Sequence, residues 1–173
     1  ARAIQRFLLE GFLASQLVHP NIVRVSDYGG FCASDEYFIE MEDLGSRTLG
    51  IWARENRFDG GESALERYIE LVLQALAALG AIHGRNLVHR DLKPSNLMVV
   101  EDGRLKLIDF GSVKSLEEEE NLRAGRTMTQ SNEWVGTAQY MSPEQCDPGF
   151  GAVSAKTDVY CLGVTLFELF TGA

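Results

Sequence analysis

Asp91, Lys93, Asn96 and Asp109 are the residues of this chain whose types and spacing could do chemistry together. The first three stand in His89-Arg90-Asp91-Leu92-Lys93-Pro94-Ser95-Asn96, and the fourth opens Asp109-Phe110-Gly111. A carboxylate such as Asp91 can accept a proton from a hydroxyl. The oxygens of Asn96 and Asp109 suit Mg2+, a hard cation that takes oxygen ligands. Such a set fits phosphoryl transfer, which needs positioning and neutralisation of spreading negative charge more than covalent help. An isolated Asp-x-x-x-x-Asn is more often a turn than a metal site. The chemical reading therefore leans on the second block and on a third, Ser142-Pro143-Glu144, further along.

The elements around these blocks must bring them together. Phe7, Leu8, Phe12, Leu13 and Leu17 recur at helical spacing over residues 7–17, and Pro20 blocks continuation. Residues 22–25 and 37–41 read as two strands, joined by a loop containing Gly29-Gly30. Residues 49–55 suggest a short helix. A polar break over 57–63 follows, with Ser63 and Glu66 in capping-box spacing. Leu65, Ile69, Val72, Leu73, Leu76, Leu79 and Ile82 then mark a long helix, which Gly84 stops. Residues 96–100 and 104–108 are β-rich runs around Asp102-Gly103, a hairpin-turn signal that folds Asp109 back toward Asn96. Residues 112–142 are polar and irregular, and such long connections usually carry function. Within them Glu117 to Glu120 form an acidic run that reads as a solvated face. The apolar run from Val159 to Phe170 reads as a buried helix.

Composition excludes several classes. The chain has 173 residues, 45% hydrophobic and 24% charged, which is enough for one sizeable core in a globular protein. A net charge of -9 argues against nonspecific nucleic-acid binding. Cys32, Cys146 and Cys161 are widely and irregularly spaced, so neither a disulfide framework nor a zinc site is expected, and a reducing intracellular compartment, cytoplasmic or nuclear, fits best. No signal peptide and no stretch long enough to span a membrane is read in this segment.

The three blocks match, in order, H-R-D-L-x-x-x-N, D-F-G and A-P-E with Ser for Ala, so the chain resembles the protein kinase superfamily over nearly all of its length. The resemblance implies an α+β, two-lobed kinase-like fold, truncated, with a partial small lobe at 1–41, a hinge at 42–48 and a mostly helical large lobe from 49 to 173. It implies ATP and Mg2+ as cofactors and transfer of the γ-phosphate to Ser/Thr hydroxyls of protein substrates. Asp91, Lys93 and Thr137 would be catalytic, with Lys93 near the γ-phosphate and Thr137 contacting Asp91 and Lys93. Asn96 and Asp109 would hold the metal. Glu10 matches the helix glutamate that pairs with a lysine on the family's third strand. That lysine and the glycine-rich loop would precede Ala1, which leaves Glu10 an orphan. Met41 and Glu42 resemble the gatekeeper and first hinge residue, backbone groups near Glu42 and Leu44 would bind adenine, and Met98 would pack under its ring. Arg90 would receive a phosphorylated side chain, with Thr127, Thr129 and Ser131 as candidates, placed there by an activating kinase or by the same enzyme in trans. Glu144 would pair with an arginine beyond this segment, and Asp158 would hold the catalytic-loop backbone.

Gly136-Thr137-Ala138-Gln139-Tyr140-Met141-Ser142-Pro143-Glu144-Gln145 is similar to bacterial receptor-type Ser/Thr kinases. Leu105 to Gly111, Val135-Gly136-Thr137, and Leu49 with Trp52 are similar to the dual-specificity monopolar spindle kinases. A pseudokinase or scaffold that binds protein partners without catalysis is the competing class. A small-molecule kinase is a weaker competitor, because the long loop before Ser142 suits a peptide platform. The missing initiating Met and the stop just after the last helix read as a fragment, expected to be inactive and prone to aggregate alone.

Overall fold

The computed structural model describes residues 2–31, 36–57, 61–115 and 138–172. Cys32, Glu117 to Glu120, Thr127, Thr129, Ser131 and Thr137 lie outside the described residues.

Helix α1 spans Arg2–Ser15 and packs on the hairpin of β1 (Val25–Gly30) and β2 (Tyr37–Met41). Its Phe12 ring meets Tyr28 edge-on at 6.5 Å. A Cβ on Gly11 would stand 2.6 Å from the Tyr28 Cβ, so only glycine lets the helix come this close. The strands pair antiparallel with Tyr28 opposite Ile39 and Gly30 opposite Tyr37.

The first strand therefore differs from the expected 22–25. Gly29 and Gly30 are strand residues rather than loop, and the pairing shifts register between Val25 and Asp27. Ile22 and Val23, each 1% exposed, belong to another neighbour. Val23 N–H donates to Leu107 O and Leu107 N–H to Asn21 O, both at 2.9 Å. Burying two β-branched side chains is worth about 1.5–3 kcal/mol each. That gain takes Ile22 and Val23 into the core and starts the strand at Val25.

Helix α2 covers Leu49–Glu55, with the Thr48 hydroxyl accepting from Ile51 N–H at its start. Helix α3 runs Glu62–His83 with Gly61 as N-cap and Gly84 as C-cap. The Ser63 capping box does not form, because the helix starts before it. Its core face is Ala64, Tyr68, Leu71, Ala75, Ala78, Leu79 and Ile82. The expected stripe is only partly right, since Leu65, Ile69, Leu73 and Leu76 are exposed. This helix is apolar most of the way round, and its alanines allow closer approach to the hairpin of β4 (Leu97–Val99) and β5 (Leu105–Leu107).

That hairpin turns at Asp102-Gly103, where Gly103 has φ of 81° and Asp102 caps Arg104 N–H at 3.0 Å. Its register is Leu97↔Leu107, Met98↔Lys106 and Val99↔Leu105, and Ile108 N–H donates to Asn96 O at 2.9 Å. The expected return of Asp109 toward Asn96 is thus made by the ladder. Short strands β3 (Leu87–Val88) and β6 (Lys114–Ser115) pair antiparallel and bracket the two motifs. Helix α4 (Pro143–Cys146) carries a Ser142/Gln145 capping box, and helix α5 (Ala155–Thr171) a Ser154/Thr157 one. Leu162 and Leu169 of α5 join Leu79, Leu97 and Leu105 in one core. Helix α5 is buried on one face only, because Val159, Tyr160, Phe167 and Phe170 are exposed.

Candidate active site

Asp158 organises the loop that carries the first motif. It lies one turn into α5 and is fully buried. Its Oδ2 accepts from His89 N–H at 2.9 Å and lies 2.7 Å from His83 Nε2, and its Oδ1 accepts from Arg90 N–H at 2.8 Å. Arg90 has φ of 73°, a left-handed conformation costing a non-glycine residue about 1–2 kcal/mol. The buried carboxylate offsets that strain, and the turn it holds sets the direction of Asp91.

His89 links the two motifs. Its Nδ1 lies 3.4 Å from Asp91 N–H and its Nε2 3.3 Å from Ile108 O. The first partner donates and the second accepts, which assigns the neutral ring its proton on Nε2. The ring also meets Phe110 edge-on at 5.6 Å.

Asp91 is 7% exposed. Lys93 Nζ stands 2.7 Å from its Oδ2. Asn96 Nδ2 donates to the same oxygen at 3.1 Å and to Asp91 O at 2.8 Å. The 3-10 turn Pro94–Asn96 makes this possible by curling Asn96 back over the loop. With its amide nitrogen committed to Asp91, Asn96 offers Oδ1 as its oxygen donor. Asp109 is exposed, in a left-handed conformation at φ of 65°, with Gly111 N–H donating to its Oδ1 at 3.2 Å. Phe110, 2% exposed, anchors this motif in the core.

Glu10 projects from α1 onto the second motif. A Cβ on Gly111 would lie 3.1 Å from its Oε2. Burial and the nearby Asp109 carboxylate push its pKa up, against a hydrogen bond from Phe110 N–H. The expected orphan thus faces Asp109-Phe110-Gly111.

Beyond the backbone role expected of it, Glu42 has side-chain partners. Its N–H donates to Arg24 O at 3.0 Å, and its Oε1 accepts from Arg24 N–H at 2.7 Å and from Lys106 Nζ at 2.5 Å. Partial burial opposes ionisation, but Lys106 and the Arg24 N–H outweigh it and lower the pKa. The carboxylate ties the 42–48 segment to β5. Met41 is 49% exposed and Leu44 packs against the core, while Met98, 6% exposed, bridges to Thr48.

The third motif reaches the first through Gln145. Its Nε2 donates to Arg90 O at 2.7 Å, and its Oε1 accepts from Ser142 N–H at 3.0 Å. Glu144 accepts from Thr157 Oγ1 at 2.6 Å, so it has a partner within the chain. Burial raises its pKa, but Thr157 and neighbouring donors more than compensate and lower it. Sequence reasoning missed Gln145, His83 and Lys106. Only Gln145 carried a signal, the S-x-x-Q capping-box spacing from Ser142.

A family model for the protein kinase domain matches residues 2–173. The chain belongs to the protein kinase family. This kinase domain is 37% identical over 170 residues to a probable serine/threonine-protein kinase PknB of Lactococcus lactis, covering 98% of this chain and 25% of that protein. It is 36% identical to the serine/threonine-protein kinase PrkC of Bacillus subtilis, over 98% of this chain and 24% of the relative. It is 37% identical to the serine/threonine-protein kinase PknB of Mycolicibacterium smegmatis, over 96% and 25%. The chain thus spans about a quarter of the length of these curated relatives. They agree with the bacterial Ser/Thr reading of the 136–145 stretch rather than the monopolar spindle one. The fold is a partial kinase fold of mixed helices and sheets.

Proposed function

We propose that the protein transfers the γ-phosphoryl group of ATP to Ser or Thr hydroxyls of protein substrates. The observation that carries this reading is the Asp91 cluster: a 7%-exposed carboxylate with an ammonium at 2.7 Å and an amide at 3.1 Å. Residues 1–41 form a partial small lobe, 42–48 the hinge and 49–173 the large lobe. Asp91 orients the substrate hydroxyl and takes its proton as the oxygen bonds to phosphorus and the bond to the ADP oxygen breaks. Lys93 holds Asp91 in place and would share charge with the phosphoryl oxygens.

Asn96 Oδ1 and the Asp109 carboxylate are hard oxygen donors on adjoining positions of one hairpin, and they fit Mg2+, which binds through one or two carboxylates plus phosphates. When bound, that ion neutralises phosphate charge. Among the described residues no group of three His, Cys, Asp or Glu side chains forms a denser metal site. Met41, Leu44, Met98 and the Glu42 backbone line the adenine position, and Glu10 serves the phosphate side. Arg90 reads phosphorylation at Thr127 or Thr129, by self in trans or by an activating kinase, and Thr137 completes the catalytic set. The free thiols of Cys146 and Cys161 support an intracellular, reducing location. No helix among the described residues is long and apolar enough to cross a membrane.

The test is phosphotransfer from Mg·ATP to generic protein substrates by the full-length protein, with Asp91→Asn and Asp109→Asn alongside. Activity on Ser/Thr lost in both variants is expected. No transfer, with ATP binding retained, assigns the chain to a non-catalytic scaffold.

A further inference from the structure

An open groove of about 820 Å3 adjoins the Asp91 loop. Lys93, Pro94 and Ser95 of that loop form one wall, α2 a second, and the Tyr140 turn with the end of α5 a third. Its charge is opposite to that of the molecule. The chain carries 25 acidic against 16 basic residues, yet the groove is lined by Arg54, Arg57 and Lys93 and by a single carboxylate, Glu168.

The partners of these groups sharpen the contrast. Glu168 accepts a short hydrogen bond from the Tyr140 hydroxyl, which burial and this bond push up to about 12. Lys93 is held by Asp91 at 2.7 Å. The acidic neighbour on α2, Glu55, is taken by Arg47 at 2.6 Å. Arg54 Nε donates to Gly50 O at 3.2 Å, which satisfies one of its five N–H groups and none of its charge. Among the described residues neither Arg54 nor Arg57 has a carboxylate partner. Arg54 stands in the last turn of α2 and Arg57 just past its C-cap Asn56, both lining the groove, and each offers a planar guanidinium fork that matches carboxylate or phosphate.

We propose that this groove is a substrate subsite in which Arg54 and Arg57 select peptides carrying an acidic side chain near the phosphoacceptor. The inference rests on the kinase reading and adds to it the substrate class. If equidimensional, a cavity of this size is about 9 Å across, the reach of roughly three extended residues. The selected acid therefore sits within about three positions of the acceptor. A carboxylate and a phosphoryl group share the required chemistry, and a previously phosphorylated substrate would satisfy the site as an Asp or Glu would.

The experiment uses the full-length protein and synthetic Thr peptides in which each position within three of the acceptor is, in turn, Asp, phosphoserine, Ala or Lys. The readout is the ratio of kcat/KM for the acidic over the Lys peptide, so the overall activity of each variant cancels. At one or more positions the ratio is expected to be about tenfold, equivalent to about 1.4 kcal/mol, and to shrink as salt screens it. Arg54→Glu with Arg57→Glu reverses the ratio. Lys156→Glu, a charge change outside the groove, leaves it as it is. Phosphoserine exceeding Asp at the same position identifies a primed substrate; the reverse identifies an acidic one. Equal kcat/KM for acidic and Lys peptides at every position, or a preference that survives the double reversal, overturns the subsite. Binding of fluorescent peptides with Ala at the acceptor gives a readout independent of catalysis. If no peptide is phosphorylated but Asp peptides bind better than Lys ones and the double reversal abolishes the difference, the kinase reading fails while the groove assignment stands. Equal binding there overturns the groove assignment as well.

Discussion

Replacing Asp158 by Asn tests whether a buried carboxylate sets the geometry of the Asp91 loop. The two side chains have nearly the same shape, so packing is preserved and only hydrogen bonding changes. Asp158 Oδ1 accepts from Arg90 N–H, and Oδ2 serves His89 N–H and His83 Nε2. An amide can keep only one of these oxygens. With its NH2 group at the Oδ1 position, Arg90 N–H faces a donor and is left unsatisfied, at a cost of about 1–3 kcal/mol. The two remaining bonds lose their charge assistance, at about 0.5–1 kcal/mol each. With NH2 at the Oδ2 position, His83 can turn acceptor, but His89 N–H is orphaned at a similar cost. Either arrangement gives a destabilisation of about 2–5 kcal/mol, a large share of the roughly 5–15 kcal/mol typical of a domain. Urea denaturation measures the total, and amide hydrogen exchange over residues 89–91 locates it. The expected result is a midpoint shift of that size, with His89 and Arg90 losing protection before the α3 core does. A change below about 1 kcal/mol, with exchange at His89 and Arg90 unaltered, would refute the claim that this carboxylate holds the loop.

Lys106→Met should destabilise the fold by about 1–2 kcal/mol in urea, less than for a fully buried pair because a third of the Glu42 side chain meets water. Glu42 has its pKa lowered in the fold, so the stability it contributes is present above about 4.5 and lost as pH falls through the lower folded value. Lys106→Met should flatten this acid limb of the stability curve. Glu10 has the opposite sign: its pKa is raised, so the stability its protonated form contributes is lost as pH rises through the folded value. Glu10→Gln should therefore raise the urea midpoint at pH 7 and have less effect at pH 4, and a lower midpoint at pH 7 would count against burial and the Asp109 carboxylate as the causes of the shift. Gln145→Ala should cost about 1–3 kcal/mol by stranding the buried Ser142 N–H, and should reduce phosphotransfer by releasing Arg90 O. Light scattering should find the isolated 173-residue chain self-associated through its exposed Leu73 and Phe167, and Leu73→Lys should raise the monomer fraction.

Much of the fold was legible because its signals are local. Helix α2, the α3 stop at Gly84 and the hairpin at Asp102-Gly103 follow from periodicity and turn chemistry, and they stand where expected. The misreadings share one cause. Asp27, Gly29 and Gly30 look like loop residues, yet they pair in β1 because Ile22 and Val23 are drawn to Leu107, more than eighty positions away. The large side chains Leu65, Ile69 and Leu73 mark a plausible core face on α3, yet Ala64, Ala75 and Ala78 face inward because they permit closer packing.

By itself the sequence determined the chemistry on offer: Asp91, Lys93, Asn96 and Asp109 in motif order, on a short loop and a hairpin whose turn residues bring the last two onto adjoining positions. Short-range rules suffice there, because the spacing along the chain is also the spacing in space. Only the tertiary structure decided what holds those groups and what surrounds them. Asp158 reaches His89 across 69 positions, Gln145 reaches Arg90 across 55, and Lys106 reaches Glu42 across 64. Each bond depends on two elements packing at one angle and depth, which the whole core determines. The pairing of Arg47 with Glu55 and of Tyr140 with Glu168, which leaves Arg54 and Arg57 facing the groove, comes from that same packing.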